Sequence, residues 1–335
     1  MNPRITIIGD GAMGTVCAIM LAENGHRTRL WSAFPEAARD LARLRENRRF
    51  LPGFHLPDGL EIAGDDDQAL RDCGLAVSAV PTQFMRSVWT RLKPYCDKHL
   101  PICSVAKGIE NRTLLRPTQI LQDVLDSKEA TRPIAALSGP SIAPEIARKL
   151  PATVTVASKQ RDLAATVQRL LNRPYFRIYT NNDMVGVELA GATKNVIAIA
   201  AGILDGLSAG DNAKAALLTR GLVEISRLGM KLGAKSATFA GLAGMGDLVT
   251  TCFSPIGRNR SFGEAVGRGM SVESALAAVK GVVEGVPTTQ SVVELAKGAG
   301  VQMPITQAVH DVIFAGSKPS DAIEDLMSRP LKSET

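Results

Sequence analysis

Histidine, cysteine and aromatic residues are scarce in this chain of 335 residues, and each scarcity removes a class of chemistry. The 4 histidines, His26, His55, His99 and His310, lie far apart with no metal-ligand spacing, so histidine is not the obvious proton carrier. The 5 cysteines, Cys17, Cys73, Cys96, Cys103 and Cys252, are odd in number and form no Cys-x-x-Cys pair. That pattern argues against a disulfide framework or a zinc site and for small buried hydrophobes in a reducing compartment. Aromatic residues make up 4% and the basic residues are dispersed, so the excess of 39 Lys and Arg over 33 Asp and Glu (net +6) suits an anionic small molecule better than a nucleic acid. No low-complexity tract, repeat or signal-peptide pattern stands out, and the longest apolar runs are interrupted before bilayer-spanning length. A cytoplasmic protein with no stable membrane insertion is expected.

What is present is enough apolar residue, 45%, to fill two cores, and the length calls for two. The boundary falls after Asn182, giving residues 1–182 and 183–335. In the first part, the β-rich run Arg4–Ile8 leads into Gly9-Asp-Gly11-Ala-Met-Gly14 and a helical pattern from Thr15 to Asn24. Strand, glycine turn and helix in this order form a dinucleotide fingerprint: Gly9 for the tight turn, Gly11 for close approach of a pyrophosphate, Gly14 for helix–strand packing. A glycine turn in some other α/β protein is the alternative. Strand candidates follow at 27–31, 75–80, 101–105, 134–137, 153–157 and 177–179, alternating with helical patterns, which implies a mainly parallel, doubly wound sheet. Ligands of such sheets bind beyond the carboxyl ends of strands, here at Pro81-Thr-Gln83, Ala106-Lys-Gly108 and Ser138-Gly-Pro-Ser141. Lys107 is a candidate anion or carbonyl contact, or else a solvated loop lysine. The Arg-rich run Arg39–Arg49 reads as a solvated helix face.

After about Asn181 the β-rich runs stop, and the second part reads as all helical, with Asn181, Asn182 and Asp183 offering caps. Its first segment, Gly186–Gly202, has one apolar face through Leu189, Ala192, Val196 and Ile199 and sets Lys194 on another among Ala190, Gly191, Ile197 and Ala198, so the helix should be buried. Desolvation disfavours a charged amine, and a buried lysine can therefore exchange a proton near neutral pH. The same pattern fits a lysine that snorkels to the surface or sits in a structural ion pair. Downstream, Asp247 lies in the glycine-punctuated segment Ala240–Cys252, either as a functional acid or as a helix cap. Gly257-Arg-Asn-Arg260 offers a guanidinium that can hold a phosphate, or is a basic surface turn.

Gly9–Gly14, Ala106–Ile109, Ser138–Ser141, Gly186–Gly202, Asn212–Leu222, Gly241–Cys252, Gly257–Gly263 and Val282–Gly285 together resemble, in order and spacing, the bacterial NAD(P)-dependent glycerol-3-phosphate dehydrogenase family. The resemblance implies that Lys194 is proton donor and acceptor, with Asp247 orienting it. It implies glycerol 3-phosphate contacts at Lys107, Gly139, Ser141, Lys194, Asp247, Gly257, Arg258 and Asn259, with Thr251 adjoining. Cofactor contacts are implied at Gly9, Gly11, Ala12, Met13, Gly14, Lys107, Ala143, Arg258, Val282 and Glu284. Two departures stand out: Gly257 occupies a place where many relatives have Ser, and Ala33-Phe34 follow Leu30-Trp-Ser32 where relatives often have His or Arg.

The activity implied is reversible hydride transfer between NAD(P)H and dihydroxyacetone phosphate, supplying glycerol 3-phosphate for phospholipid synthesis. NADH is expected to serve at least as well as NADPH, because Ser32, Ala33 and Phe34 bring no cation to a 2′-phosphate. A phosphorylated triose is the expected partner and nucleic acid is not; assembly is left open, a homodimer among the options. Two rivals stand: a β-hydroxyacid dehydrogenase, which wants a carboxylate grip in place of Gly257-Arg-Asn259, and a nucleotide sensor that has lost catalysis.

Overall fold

The order of apolar and glycine-rich segments is realised, in the computed structural model, as a large sheet with helices followed by helices alone; residues 3–127, 131–331 and 333 are described. Ten strands form among the described residues: β1 (Arg4–Ile8), β2 (Thr28–Trp31), β3 (Glu46–Asn47), β4 (Leu51–His55), β5 (Glu61–Ala63), β6 (Cys73–Ser78), β7 (Ile102–Ser104), β8 (Ile134–Ser138), β9 (Ala152–Ala157) and β10 (Phe176–Asn181). Eight of them make one sheet in the order β10-β9-β8-β7-β6-β1-β2-β5, and β3 pairs with β4 as a separate hairpin. Every pairing in the large sheet is parallel except β8 with β9. Interleaved helices are α1 (Ala12–Glu23), α2 (Pro35–Leu44), α3 (Asp66–Ala69), α4 (Thr82–Leu92), α5 (Pro117–Leu125), α6 (Ala143–Ala147) and α7 (Arg161–Leu171). The mainly parallel, Rossmann-type sheet read from the sequence is borne out.

The glycine turn is built as its chemistry requires. Gly9 has φ of +110°, open to glycine but not to L side chains, and a Cβ on Gly14 would stand 2.1 Å from the Gly9 carbonyl oxygen. Gly11 caps α1, so the helix begins at Ala12 and not at Thr15 as the pattern suggested. β6 ends at Ser78, two residues before the expected limit, because Ala79 and Val80 form the floor beneath Gly9. The solvated helix expected over Arg39–Arg49 stops at Leu44. Arg45 adopts a left-handed conformation (φ 49°) and donates to the Leu60 carbonyl at 3.0 Å, and Asn47 turns inward in the hairpin to donate to the Asp10 carbonyl and the Thr15 hydroxyl, both at 2.7 Å.

The remaining helices are α8 (Met184–Gly206), α9 (Gly210–Lys231), α10 (Ser236–Phe239), α11 (Asp247–Phe253), α12 (Arg258–Gly267), α13 (Val272–Ala278), α14 (Gly285–Ala299), α15 (Pro304–Phe314) and α16 (Pro319–Met327). Two units divide the chain, Met1–Gly108 with Leu115–Glu188 and Ile109–Leu114 with Leu189–Thr335, so the division falls inside α8. Asp183 caps α8, its carboxylate accepting the Gly186 N–H at 2.9 Å. Every residue from Gly186 to Leu204 is buried, the environment expected of a helix apolar on all sides. One sequence reading is corrected here. By length and composition α8 suffices to cross a membrane, with mean hydropathy 1.5, because the few charges within it do not offset its apolar length; 94% of that stretch is buried inside the protein.

Candidate active site

In the first unit, parallel pairing brings the carboxyl ends of β1, β2, β6, β7 and β8 to one edge of the sheet. α1 opens there on Gly11 with no side-chain cap and no acidic residue in its first turn. Ala12, Met13 and Gly14 precede the first intrahelical bond, from the Thr15 N–H to the Gly11 carbonyl at 2.9 Å, so their N–H groups and the helix dipole suit an anion. These residues fit the pyrophosphate of a dinucleotide: the turn offers backbone donors, and nothing lies within 4 Å of where a Cβ on Gly11 would stand. At the ends of β7 and β8, Lys107 Nζ donates to the Gly139 carbonyl at 2.9 Å and to Ser141 Oγ at 3.2 Å, and Ser141 donates to the same carbonyl at 2.9 Å. Lys107 is therefore positioned, not merely solvated. Ala143 opens the short α6 just beyond.

In the second unit, Lys194 is 5% exposed, which excludes the snorkelling alternative. Its ammonium donates to Asp247 Oδ1 at 2.7 Å and to Thr251 Oγ1, and Thr251 in turn donates to the Asp247 carbonyl at 2.7 Å. A single π-helical turn over Leu242–Gly246 delivers Asp247 to the start of α11, and such turns are frequent at functional sites. Burying a lone ammonium is costly, and the carboxylate beside it offsets that cost while fixing the direction of its N–H bonds.

α12 is set against α8 backbone to backbone. A Cβ on Gly202 would fall 2.0 Å from the Arg260 carbonyl oxygen, and one on Gly263 would fall 2.1 Å from that of Ile199. This close crossing fixes the amino end of α12. Asn259 Nδ2 donates to Asn195 Oδ1 and Asn259 Oδ1 accepts the Gly285 N–H, each at 2.9 Å, so the amide that was to grip a phosphate is committed to protein on both sides. Gly257 donates its N–H to the Ser254 carbonyl at 3.2 Å and so does not replace the hydroxyl it lacks. What the segment presents is the exposed side chain of Arg258, lying against Gly281, and the N–H groups of Arg258, Asn259 and Arg260 ahead of the first helical bond. Val282 follows, and Glu284 caps α14.

Two features escaped the sequence reading. Asn195 adjoins Lys194 in sequence and anchors Asn259. Asp205 holds both Lys214, at 2.8 Å, and Arg260, at 2.7 Å, tying α8 to α9 and α12. The only signal for Asn195 was membership of the Gly186–Gly202 segment, and Asp205 lies outside every segment that carried the resemblance. Cys252, buried beside this network, has its thiol pushed up to about 12 by burial, opposed by the charges of Lys194 and Lys214.

A nucleotide-binding parallel sheet joined in one chain to a helical unit with a buried Lys–Asp pair defines a nicotinamide-dependent dehydrogenase. Within that class, the chain belongs to the NAD-dependent glycerol-3-phosphate dehydrogenase family, matching the family's N-terminal model over residues 4–164 and its C-terminal model over 183–324. It is 46% identical over 334 residues to glycerol-3-phosphate dehydrogenase (NAD(P)+) of Geobacter sp. (strain M21), covering 100% of this chain and 99% of that protein. The enzyme of the same name from Geobacillus thermodenitrificans (strain NG80-2) is also 46% identical, covering 99% and 96%. The crystal structure of glycerol-3-phosphate dehydrogenase from Coxiella burnetii superposes with a TM-score of 0.94 at 37% identity, covering 98% of this chain and 99% of that one. Neither the β-hydroxyacid dehydrogenase nor the inactive sensor is favoured by these matches.

Proposed function

We propose that this protein catalyses reversible hydride transfer between NAD(P)H and dihydroxyacetone phosphate, forming sn-glycerol 3-phosphate, and that Lys194 is its proton donor and acceptor. The observation that carries the reading is the buried Lys194–Asp247 pair. Residues 1–182 are assigned to the dinucleotide and 183–335 to the substrate. Gly9, Gly11, Ala12, Met13 and Gly14 would hold the pyrophosphate, with Lys107, Ala143, Arg258, Val282 and Glu284 as further cofactor contacts; the bound nicotinamide supplies the hydride.

The protein's own groups perform the rest. As charge grows on the substrate's C2 oxygen, the Lys194 ammonium stabilises it and then donates its proton; in the oxidative direction the amine accepts one. Asp247 and Thr251 orient Nζ. Arg258, with the amino end of α12 from Gly257 to Asn259, takes the phosphate and so positions C2. Lys107, Gly139 and Ser141 complete the substrate contacts. Glycerol 3-phosphate for phospholipid synthesis is the product assigned, in the cytoplasm, with no nucleic acid or membrane partner and a homodimer as the assembly considered.

The test is oxidation of NADH by dihydroxyacetone phosphate against unphosphorylated dihydroxyacetone. Losing the phosphate leaves Arg258 unpaired and removes binding energy remote from C2, so kcat/KM should collapse for the second ketone. Comparable values for the two would sink the reading.

A further inference from the structure

The second strand of an NAD-selective nucleotide fold usually ends in an acid that takes the ribose hydroxyls, and an NADP-selective one keeps a cation near the 2′-phosphate. Here β2 runs into Ser32, Ala33 and Phe34, which carry neither. The structure supplies an acid from elsewhere. Ser32 Oγ donates to Asp10 Oδ2 at 3.0 Å and accepts the Phe34 N–H at 3.3 Å, so a carboxylate 22 residues upstream is held at the end of β2.

Asp10 lies inside the glycine turn, between Gly9 and Gly11, and its placement is fixed from several sides. The Gly9 N–H donates to the Trp31 carbonyl at 3.0 Å, the Ser32 N–H to Ala63 on β5 at 3.0 Å, and Asn47 Nδ2 to the Asp10 carbonyl at 2.7 Å. A side chain locked in this way is preorganised for a ligand. It remains partly accessible, unlike the fully buried residues of β1 before it. Partial withdrawal from water pushes the carboxyl up, while Ser32, its own backbone N–H and the Arg49 charge pull it back. A second anion arriving in such a low-dielectric setting is repelled more strongly than it would be in water.

Of the neighbouring cations, Arg39 and Arg91 already face other acids, whereas Arg49 faces Asp10 itself. Arg39 is 3.9 Å from Glu36, and Arg91 is bound to Asp66 while also donating to the Ala33 carbonyl at 3.0 Å. Arg49 stacks over the Phe50 ring at 4.9 Å and its charge acts on Asp10.

We infer that Asp10 is the specificity-determining residue for the cofactor, its carboxylate accepting hydrogen bonds from the hydroxyls of an unphosphorylated adenosine ribose and opposing a 2′-phosphate. The inference rests on the nucleotide-binding reading of the first unit. Ser32 is the positioning residue that holds the carboxylate in place.

Fluorescence titration of NADH and NADPH against wild type, Asp10→Ala, Asp10→Asn and Ser32→Ala gives dissociation constants without turnover. Wild type should bind NADH at least as tightly as NADPH. Asp10→Ala should move the ratio of the two constants at least about tenfold toward NADPH. Asp10→Asn keeps the volume and removes the charge, so it should move the ratio in the same direction, and it serves if the alanine variant does not fold. Ser32→Ala should give a smaller shift of the same sign. A merely structural Asp10 would weaken both nucleotides together. An unchanged ratio in folded Asp10→Asn, with both nucleotides still bound, overturns this inference alone; a wild type that binds neither overturns the nucleotide-binding reading as well.

Discussion

Lys194 and Asp247 are each other's environment, and their separate substitutions should fail in different ways. Lys194→Ala removes the proton donor and should lower kcat by roughly 10²- to 10⁴-fold. Asp247→Ala leaves a buried ammonium without its carboxylate and should cost about 3–5 kcal/mol of stability, read as a lower urea midpoint. The paired change Lys194→Met with Asp247→Leu should recover much of that stability and none of the activity, because a buried ion pair is replaceable in packing but not in proton transfer. Arg258 stands apart from both, exposed at the amino end of α12. Arg258→Ala should act chiefly on KM for dihydroxyacetone phosphate, with a smaller loss in kcat from poorer positioning. Equal loss in kcat and kcat/KM for that variant would instead place the arginine at the reacting carbonyl.

The α8–α12 crossing converts side-chain chemistry into a site, since it sets where the first turn of α12 stands relative to the helix bearing Lys194. Gly263 is the tightest test on α12, with its added Cβ 2.1 Å from backbone. Gly263→Ala should destabilise by about 1–3 kcal/mol, as overpacking does, and raise KM for the phosphorylated substrate more than KM for NADH. Steady-state kinetics with each substrate varied in turn checks this; equal effects on both would show that the crossing does not position the phosphate contacts. The sequence made α8 legible because a helix buried on every side leaves a mainly apolar record, interrupted here by Glu188, Thr193, Lys194 and Asn195. It did not reveal the β3–β4 hairpin. Glu46 and Asn47 make a strand too short for alternation to register, and what stabilises it is Asn47 reaching back to Asp10 and Thr15, far away along the chain.

Across the whole molecule, β1, β2 and β6 to β10 were legible to within a few residues, because glycine turns and apolar alternation are local signals, whereas the short β3, β4 and β5 were not. Partnerships were not. Lys194 and Asp247 are 53 residues apart, and Asp10 and Ser32 are 22 apart; no periodicity couples them, so only resemblance suggested the first and nothing suggested the second. The buried thiols give a global prediction. Burial raises Cys17 and Cys252 to about 12, above the ordinary 9.0, so their contribution to stability is complete below pH 9 and is lost as pH rises toward 12, where unfolded thiols ionise and folded ones do not. The urea midpoint should fall above pH 9, and fall less in Cys17→Ala with Cys252→Ala; the same slope in that variant would exclude the thiols as its cause. The central claim, that Lys194 carries the proton, is tested most directly by single-turnover oxidation of bound NADH by dihydroxyacetone phosphate in wild type and Lys194→Ala. The account predicts a chemical step slowed by at least about 10²-fold with the NADH dissociation constant unchanged; a folded variant reducing the ketone at the wild-type rate would contradict it.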